Sequence, residues 1–501
     1  MRVLLIFSGT YPYHYGGVSV WAQNLISGLS EIEFEVLSVI AEPHLRVRYP
    51  LPQNLKRLYT LPLWGAELVE EYLEDASVLE LASRRRRTTD KVAEEKFIPL
   101  FRPLLDYLLE EDGDPLKAGE ALAELHKLFQ IYDYGKLFRS EVTWRFFEEY
   151  LLREPSDVTY VEMSLSEITD SLRLFAHFLR PLALRLGSYD LIHSAIASFA
   201  GFVGIAQKIL SGAPYLLTEH GVFYRERILD FVRYGRSYPY RSFWSRVFKQ
   251  VAKLNYYWAD RITSVTSFNR EWEYMLGASP AKLEVIYNGV DVKKFRPMPE
   301  KTERWTVVSV IRIDYFKDPL NLIRAMDHVV KKIPEARCYI YGPVIVPEYA
   351  ERCRREIFSL GLEEKVKFMG FTSKPEEAYN QGWVVVQPSM SEGTPISILE
   401  AMACGRPIVA TDAGGVAEAL GDAGIIVPVK NPRVLGDAVT RVLLEERLAW
   451  RLTKKARERA VKLFSLERML SDYRRVYHEL REGSSKVEDR LLGEADSRTR
   501  P

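Results

Sequence analysis

Two carboxylates flank a short segment whose residue types suit the binding of an anion. Glu392 lies in a loop, and Glu400 lies within the helix that the sequence predicts to follow. Thr394 is a favourable helix N-cap, and Pro395 fits the first helical position because its missing N–H would have no partner there. Gly405 is placed to end the helix. Because the N–H groups at a helix start carry a partial positive charge, the segment predicts a site for a phosphorylated sugar donor between the two carboxylates.

Two cations follow an apolar strand in the same half of the chain. The strand covers 307–311, and Arg312 and Lys317 come after it. Arginine can bind a diphosphate through two parallel hydrogen bonds, and lysine adds a point charge. When a nucleoside diphosphate leaves, negative charge gathers on its oxygens, so cations already in place stabilise that transition state. Two cations on a loop are by themselves more typical of solvated surface, and the segment around Glu392 is what favours a functional site.

A histidine follows an apolar strand in the other half of the chain. His220 comes soon after the run at 215–218, and in α/β sheets the carboxyl ends of the strands face the crevice that binds ligands. His220 is therefore a candidate for positioning a ligand. The alternative is a structural histidine satisfied by backbone groups.

Glycines and an asparagine mark two further loops. Gly16 and Gly17 end the first loop just before a helix, where backbone without a Cβ can approach a ligand closely, although a glycine pair also simply makes a turn. The loop lacks the G-x-G-x-x-G spacing, which disfavours a tightly bound dinucleotide. Asn288 opens an Asn-Gly pair, which is foremost a turn signal, and its side chain is also a candidate to line a cleft.

Strand-length apolar runs that alternate with helices must position these residues. Such runs are typical of parallel sheets that are buried on both faces. In the first half they lie at 3–7, 35–40, 190–193, 215–218, 261–265 and 283–286, and in the second half at 306–311, 336–341, 366–368, 383–387, 407–410 and 424–427. The pattern predicts the α/β class, with two Rossmann-like domains that face each other across a cleft.

The domain limits follow from breaks in this alternation. Residues 1–298 are predicted to form the N-terminal domain, with a helical insertion at about 60–186, and residues 299–465 the C-terminal domain. Prolines near 298 mark the boundary. A capped terminal helix is predicted at 466–482, packing back toward the N-terminal domain, and the charged tail at 483–501 is predicted to be disordered.

Composition excludes several classes of function. Lysine and arginine number 69 against 68 aspartate and glutamate residues, so no global charge attracts the protein to nucleic acid or lipid. Three cysteines without metal-ligand spacing are typical of a reduced cytosolic protein. The sequence contains neither a signal peptide pattern nor an apolar run of about 18 residues, so it predicts a cytoplasmic protein. The arginines at 84–87 suit a solvated helix face better than a contact with acidic lipid or a partner.

Taken together, these residues resemble the retaining glycosyltransferases of family 4, which have the GT-B fold. The resemblance runs in a consistent order over nearly the whole chain. The matching positions are Gly16-Gly17, His220, Asn288-Gly289-Val290-Asp291, Arg312 with Lys317, and Glu392 with Glu400 in Glu-Gly-x-Pro-x-x-x-x-Glu-Ala-Met. The order and number of these motifs make the resemblance more specific than any one of them.

The resemblance implies a role for each of these positions. Arg312 and Lys317 would hold the donor diphosphate, and Glu400 would hydrogen-bond the ribose hydroxyls. Glu392 would lie near the reacting carbon of the donor sugar, and His220 would help to position the sugar and the acceptor, which binds on the side of the N-terminal domain. The remaining donor-binding positions are Gly16, Gly17, Asn288, Gly342, Gly393, Thr394, Pro395 and Ile396.

Finer features resemble the PelF subgroup, which makes exopolysaccharide. They are the helical insertion, the stretch at 217–227, Phe316-Lys317-Asp318-Pro319, Tyr341-Gly342-Pro343 and the segment at 349–353. That subgroup favours UDP-glucose as the donor. Thr394 and Ile396 replace the subgroup's usual residues, so the sugar specificity stays open.

The resulting hypothesis is a retaining transfer of glucose from UDP-glucose to a hydroxyl acceptor, a saccharide, in a membrane-associated polysaccharide synthesis complex. The nucleotide sugar is a substrate, and we expect neither a cofactor nor a required metal. Two alternatives remain open. One is a glycogen-synthase-like or sucrose-synthase-like transferase, or a phosphorylase, and the other is a catalytically silent scaffold subunit that binds nucleotide sugar.

Overall fold

The computed structural model describes residues 1–65, 76–110, 113–152, 163–231 and 236–497. The chain divides into two compact units. The first comprises Met1–Ser264, Arg270–Glu284 and the residues from Arg474 onward, and the second comprises Val265–Asn269 and Val285–Tyr473.

The first unit is built on a sheet of seven strands in the order β3-β2-β1-β4-β5-β6-β7. The strands are β1 (Arg2–Ser8), β2 (Glu33–Ile40), β3 (Leu55–Pro62), β4 (Leu191–Ser194), β5 (Tyr215–Glu219), β6 (Arg261–Ser264) and β7 (Leu283–Val285). Neighbouring strands from β3 to β6 pair in parallel. The central residues of β1, from Val3 to Phe7, are buried, as expected where a parallel sheet is covered on both faces.

Helices join these strands, and many of them lie between β3 and β4. They are α1 (Gly17–Gly28), α2 (Val78–Arg87), α3 (Asp90–Val92), α4 (Ile98–Leu109), α5 (Pro115–Ile131), α6 (Tyr134–Phe138), α7 (Glu141–Leu152), α8 (Leu165–Phe178), α9 (Gly201–Ser211), α10 (Phe223–Phe231), α11 (Tyr238–Trp258) and α12 (Ser267–Met275). Shorter turns of helix cover Ala93–Phe97, Arg180–Ala183 and Pro280–Lys282. Helices α2 to α8 lie in the range for which the sequence analysis predicted a helical insertion, and the apolar side chains of α4 to α8 share one core with the sheet.

The second unit has six parallel strands in the order β10-β9-β8-β11-β12-β13. They are β8 (Glu303–Val310), β9 (Arg337–Tyr341), β10 (Val366–Gly370), β11 (Gly382–Gln387), β12 (Ile408–Thr411) and β13 (Ile425–Val427). The helices are α13 (Pro319–Lys332), α14 (Pro347–Ser359), α15 (Pro375–Gln381), α16 (Ile396–Ala403), α17 (Val416–Leu420), α18 (Pro432–Leu444), α19 (Glu446–Leu463) and α20 (Leu466–Ser497), with a short helical turn at Pro299–Lys301. From Arg474 onward, α20 belongs to the first unit.

Three features of the fold differ from the sequence-based expectations: one strand, the end of the terminal helix and the start of the second unit. Leu55–Pro62 is a strand, which the sequence analysis did not predict, because this edge strand is only partly buried and lacks a continuous apolar run. The terminal helix continues to Ser497, through most of the tail predicted to be disordered, in a stretch rich in good helix formers; residues 498–501 lie outside the described residues. The second unit begins its main segment at Val285, ahead of the predicted boundary at 298.

No helix among the described residues is both long enough and apolar enough to span a membrane.

Candidate active site

Lys317 and Glu392 meet at the carboxyl edge of the second sheet. Lys317 lies in the loop after β8, and Glu392 lies in the loop between β11 and α16. The Lys317 Nζ is 2.6 Å from each carboxylate oxygen of Glu392. Only 17% of the Lys317 side chain and 6% of the Glu392 side chain are exposed, so water and salt screen this ion pair weakly. Two residues that the sequence analysis placed in one site are thus in direct contact.

A turn after β8 fixes the position of Lys317. The Oδ1 of Asp314 accepts hydrogen bonds from the backbone N–H groups of Phe316 at 2.9 Å and Lys317 at 3.0 Å. Its Oδ2 lies 3.2 Å from the Nε of Arg312, whose side chain is 42% exposed. Asp314 therefore anchors both predicted cations, and the exposed part of the Arg312 guanidinium can still bind an anion.

Gln387, the last residue of β11, holds the Glu392 carboxylate from the other side. The Gln387 Nε2 donates to the Glu392 Oε1 at 2.9 Å and to the hydroxyl of Ser389 at 3.0 Å. The hydroxyl of Ser397 donates to the Gln387 Oε1 at 3.1 Å, which fixes the orientation of the amide. Glu392 is therefore held by a cation and by an oriented neutral donor.

The start of α16 differs from the predicted one. Pro395, in an extended conformation, occupies the N-cap position, and no side chain among the described residues caps the helix. The hydroxyl of Thr394 donates to the carbonyl oxygen of Val265 at 2.7 Å. The prediction of Thr394 as the N-cap and Pro395 as the first helical residue is therefore wrong. A tertiary partner takes the hydroxyl that local sequence rules assign to the cap, and Ile396 becomes the first residue of the helix.

Two glycines let backbone segments approach the site closely. At Gly342, after β9, φ is +144° and a Cβ would lie 1.8 Å from the carbonyl oxygen of Ile311, the residue before Arg312. At Gly414, φ is +62° and a Cβ would lie 2.0 Å from the carbonyl oxygen of Glu392. Only glycine fits such positions without moving the backbone. The sequence analysis singled out Gly342 and missed Gly414.

Asn288 and Gly393 tie the same loop to its surroundings. The Asn288 Nδ2 donates to the carbonyl oxygen of Thr394 at 3.2 Å, and the Gly393 carbonyl accepts the N–H of Gly415 at 3.1 Å. The Oδ1 of Asn288 is buried and has no hydrogen-bond partner in the part of the chain that the structure describes. Since an unpaired buried acceptor is costly, this oxygen is suited to accept a hydrogen bond from a bound molecule.

Glu400 forms a separate part of the site, in the second turn of α16. Its Oε2 accepts the hydroxyl of Tyr379 at 2.8 Å. Burial raises the pKa of Glu400 to about 7, although the Tyr379 bond and the charge of Lys294 act in the opposite direction. The carboxyl group is therefore only partly ionised at neutral pH. Within the described ranges it shares no hydrogen bond with Glu392 or Lys317.

Known proteins similar to this chain identify its family. Residues 291–459 match the glycosyl transferases group 1, and residues 1–281 match a domain of unknown function (DUF3492). A D-inositol 3-phosphate glycosyltransferase of Kribbella flavida is 30% identical over 309 residues, which cover 56% of this chain and 70% of that protein. The chain belongs to the group 1 glycosyltransferases.

A further relative and two solved structures are also similar to this chain. A poly(glycerol-phosphate) alpha-glucosyltransferase of Bacillus subtilis is 28% identical over 164 residues, or 32% of this chain and 24% of that protein. Sucrose-phosphate synthase from Thermosynechococcus elongatus superposes with a TM-score of 0.62 at 18% identity, covering 96% of this chain and 98% of the other. Anabaena Alr3699/HepE in complex with UDP-glucose gives 0.58 at 14% identity, covering 96% and 100%. These likenesses confirm the predicted α/β class and the GT-B fold of this glycosyltransferase.

In the first unit of the glycosyltransferase, His220 follows β5 and packs against α1. Its ring meets Trp21 edge-on, with the ring centroids 4.5 Å apart. The His220 Nε2 is buried and has no hydrogen-bond partner among the described residues, which does not fit a histidine satisfied by backbone groups. Burial lowers the pKa of His220 to about 3. At neutral pH the residue therefore offers a neutral imidazole nitrogen to a ligand.

Glu219 fixes the strand end that carries His220. Its Oε1 accepts the backbone N–H groups of Ala197 at 3.2 Å and Phe223 at 3.4 Å. Its Oε2 accepts the hydroxyl of Tyr256 at 2.6 Å. Burial raises the pKa of Glu219 to about 7. The carboxyl group thus connects the loop after β4, the start of α10 and the end of α11 to the end of β5.

Gly16 and Gly17 stand at the start of α1. Gly16 is the N-cap residue with extended backbone, and a Cβ there would meet nothing within 4 Å. Neither packing nor backbone conformation requires a glycine at this position, so the turn alone does not account for it. Gly17, the first residue of the helix, is exposed. Open space over a helix start suits the close approach of an anion.

Besides Gly414, sequence reasoning missed three residues that shape these sites. Gln387 ends an apolar strand next to the Glu392 loop, and this place could have suggested a role. Asp314 lies between the two cations that it anchors, which is a weaker signal. Trp21 sits on the buried face of α1, where an aromatic residue is ordinary core, so no pattern distinguished it.

Proposed function

We propose that this chain is a retaining, metal-independent glycosyltransferase of the PelF subgroup that transfers glucose from UDP-glucose to a hydroxyl of a saccharide. We propose that it acts in the cytoplasm, as part of a membrane-associated complex that makes exopolysaccharide. The contact between Lys317 and Glu392 carries the proposal. It brings the cation expected to bind the diphosphate into direct contact with the carboxylate expected beside the sugar.

Arg312 and Lys317 would hold the two phosphates. The Lys317 ammonium neutralises Glu392 before the donor arrives, and the exposed Arg312 guanidinium can turn toward the second phosphate. As the glycosidic bond breaks, both cations gain more interaction energy, because negative charge moves onto the diphosphate. In this proposal the two cations neutralise the charge of the diphosphate, and no metal ion is given that role.

Retention of configuration requires that the acceptor attack from the face that the diphosphate leaves. The bond between the sugar C1 and the phosphate oxygen breaks, and the acceptor oxygen bonds to C1 on the same side. The acceptor proton passes to an oxygen of the departing diphosphate. Glu392 would stabilise the positive charge that develops on the sugar ring, and it is also the residue to test as a covalent nucleophile.

The nucleoside would be held through its ribose by Glu400. A carboxylate that accepts hydrogen bonds from vicinal hydroxyls binds them most strongly when ionised. The choice of UDP-glucose rests on the resemblance to the PelF subgroup. It is supported by the likeness in fold to a protein crystallised with UDP-glucose and by a relative named as an alpha-glucosyltransferase.

Purified protein incubated with several nucleotide sugars tests this proposal. UDP-glucose, UDP-galactose, UDP-N-acetylglucosamine and GDP-mannose would each be supplied with short glucan and amino-sugar acceptors, with and without EDTA. We expect release of UDP from UDP-glucose, no loss of rate in EDTA, and an α-linked product by NMR. A β-linked product or a loss of rate in EDTA would contradict the retaining or the metal-independent part.

Two other outcomes would favour the alternatives. Incorporation of inorganic phosphate into the sugar product would indicate a phosphorylase. Tight binding of UDP-glucose without turnover, for every acceptor tried, would indicate a scaffold subunit. The presence of Arg312, Lys317, Glu392 and Glu400 in one unit is the reason to favour catalysis over both.

A further inference from the structure

A cavity of about 440 Å³ opens in the first unit, away from the strand ends that carry His220. Its lining comprises Leu116, Lys208, Tyr256, Tyr257, Trp258, Gly277, Ser279 and Lys282. These residues come from the start of α5, the end of α9, the end of α11 and the loop before β7.

The cavity lies beside the amino ends of β5 and β6. Asp260, two residues after the lining residue Trp258 in the α11–β6 connection, exchanges two hydrogen bonds with Tyr215, the first residue of β5. The Asp260 N–H donates to the Tyr215 carbonyl at 2.8 Å, and the Tyr215 N–H donates to the Asp260 Oδ2 at 2.8 Å. Since His220 follows the carboxyl end of β5, the cavity and His220 lie at opposite ends of this strand.

The cavity has an excess of positive charge. The Lys208 Nζ is 2.5 Å from the Asp260 Oδ1, and the other oxygen of Asp260 is occupied by the Tyr215 N–H. The Lys282 Nζ donates to the carbonyl oxygen of Tyr257 at 2.7 Å. The lining residues of the described chain include two lysines and no acidic residue. Because Asp260 pairs with Lys208, the unbalanced positive charge is that of Lys282. Burial and the charge of Lys208 lower the pKa of Lys282, and the charge of Asp260 acts in the opposite direction.

Aromatic rings form the apolar part of the same cavity. Tyr257 is 44% exposed, and its ring centroid lies 5.8 Å from that of Trp258 in an edge-on arrangement. The Trp258 Nε1 donates to the carbonyl oxygen of Pro115 at 3.0 Å, which holds the indole in place. The exposed ring of Tyr257 suits the C–H face of a sugar ring, and the exposed residue Ser279 adds a hydroxyl for a polar contact.

We propose that this cavity is a second, non-catalytic binding site for an acidic saccharide, that is, a sugar bearing a carboxylate or phosphate group. Lys282, helped by Lys208, binds the anionic group, and Tyr257 stacks on the sugar ring. This site takes its ligand independently of the donor, so the inference stands even if the proposed transfer reaction is wrong.

Titration of the full chain with four probes tests the proposal. The probes are glucuronate, glucose 6-phosphate, uncharged glucose and inorganic phosphate, with binding followed by calorimetry or ligand-observed NMR. We expect the two acidic sugars to bind at least about tenfold more tightly than glucose or phosphate, because only they engage both the cation and the ring. Phosphate binding as tightly as glucose 6-phosphate would reduce the site to an anion site and overturn the saccharide assignment.

Variants locate the binding within the chain. Lys282→Ala should weaken the acidic sugars about tenfold or more, and Tyr257→Leu, which keeps the backbone carbonyl, should weaken all three sugars. Lys127→Ala, which removes an exposed lysine near the other end of α5, should change nothing. Lys317→Ala should also leave the affinity unchanged, whereas a loss there would assign the binding to the candidate active site. Wild-type affinity in both cavity variants, checked to be folded by their melting temperature, would overturn the proposal.

Discussion

Lys317 contacts Glu392 through both carboxylate oxygens, and the two side chains are largely buried. A buried ion pair of this kind contributes little net stability compared with apolar residues, but removal of one partner leaves an uncompensated charge. The same ammonium is the group that a donor diphosphate would contact. Stability and activity therefore depend on Lys317 in different ways, and variants can separate them.

Lys317→Ala should abolish most turnover and also destabilise the protein. We expect kcat/KM for the donor to fall by about 10²–10³-fold, as for the loss of one preorganised group that stabilises developing charge. The free energy of unfolding should fall by about 3–5 kcal/mol, because Glu392 stays buried without its cation. Release of UDP and urea unfolding measure the two effects.

A double variant separates the two contributions. Lys317→Met with Glu392→Gln removes both charges, so it should recover most of the stability and none of the activity. Lys331→Ala, which removes an exposed lysine paired with Asp327, is the control for loss of a surface charge. Normal turnover in folded Lys317→Ala protein would contradict the diphosphate role.

Gln387→Leu should lower kcat more than it changes the donor KM. Among the described residues the amide bonds Glu392 but neither Arg312 nor Lys317, so its loss releases the orientation of the carboxylate. We expect about a tenfold decrease in kcat, the result of losing one hydrogen bond to a charged group. Ser397→Ala, which frees the amide to rotate, should give a smaller decrease in the same direction.

The control for this experiment is Gln381→Leu. Gln381 also donates a side-chain hydrogen bond to a glutamate, Glu303, but it does so at the surface. Equal kinetic effects of the two substitutions would contradict a positioning role for Gln387.

Much of the fold was predictable because buried parallel strands appear in the sequence as continuous apolar runs. Val3 to Phe7 and the apolar run of β8 are continuous because both faces of their sheets are covered. β3 has no continuous apolar run, since an edge strand buries fewer of its side chains. Its Lys56 and Arg57 made the segment resemble a polar connection.

The charged residues of the site were predictable for a different reason. Arg312, Lys317 and Glu392 follow strands at their carboxyl ends, and in a parallel sheet those ends share one edge. What the sequence could not give was the choice of hydrogen-bond partner. Thr394 has the type of an N-cap but bonds Val265, a residue far away in the chain, and no local pattern encodes that competition.

Glu400 should make nucleotide binding pH-dependent near neutrality. Its pKa is raised to about 7, mainly by burial, and the ionised form accepts hydrogen bonds from ribose hydroxyls better. The affinity for UDP-glucose, whose diphosphate does not titrate in this range, should therefore increase between about pH 6 and pH 8. Calorimetric titration of UDP-glucose over this range measures the effect, and Glu400→Gln should bind it more weakly with a flat profile. A pH dependence that persists in the variant would assign the titration to another group.

His220 should be needed for turnover without adding a titration of its own. Burial lowers its pKa to about 3, so the imidazole is neutral throughout pH 5–8. We expect His220→Ala to lower kcat at least about tenfold and to leave the shape of the pH–rate profile in this range unchanged. His44→Ala, at an exposed histidine, is the control. If the rate of the wild-type protein changes with pH near 6.5 and this change is absent in His220→Ala, the imidazole titrates in its normal range and the prediction is wrong.

The buried carboxyl groups Glu219 and Glu273 should make the protein less stable as the pH rises. Burial, and after it the charge of Glu219, raise the pKa of Glu273 to about 8. The hydroxyl of Ser264 donates to one oxygen of Glu273, while the Oε1 is buried without a hydrogen-bond partner among the described residues. A proton on Glu273 is thus favoured in the folded chain.

The sign of the effect follows from proton binding. In the unfolded chain a glutamate has its ordinary pKa of 4.5, so above that pH the folded state holds a proton that the unfolded state lacks. The stability contribution is complete below about pH 4.5 and is lost as the pH rises toward about 8. Glu273→Gln should therefore be close to wild type at pH 5 and more stable than wild type at pH 8–9, by urea unfolding. Glu364→Gln, at an exposed glutamate, should follow wild type at every pH, and a constant difference between wild type and Glu273→Gln would contradict the buried proton.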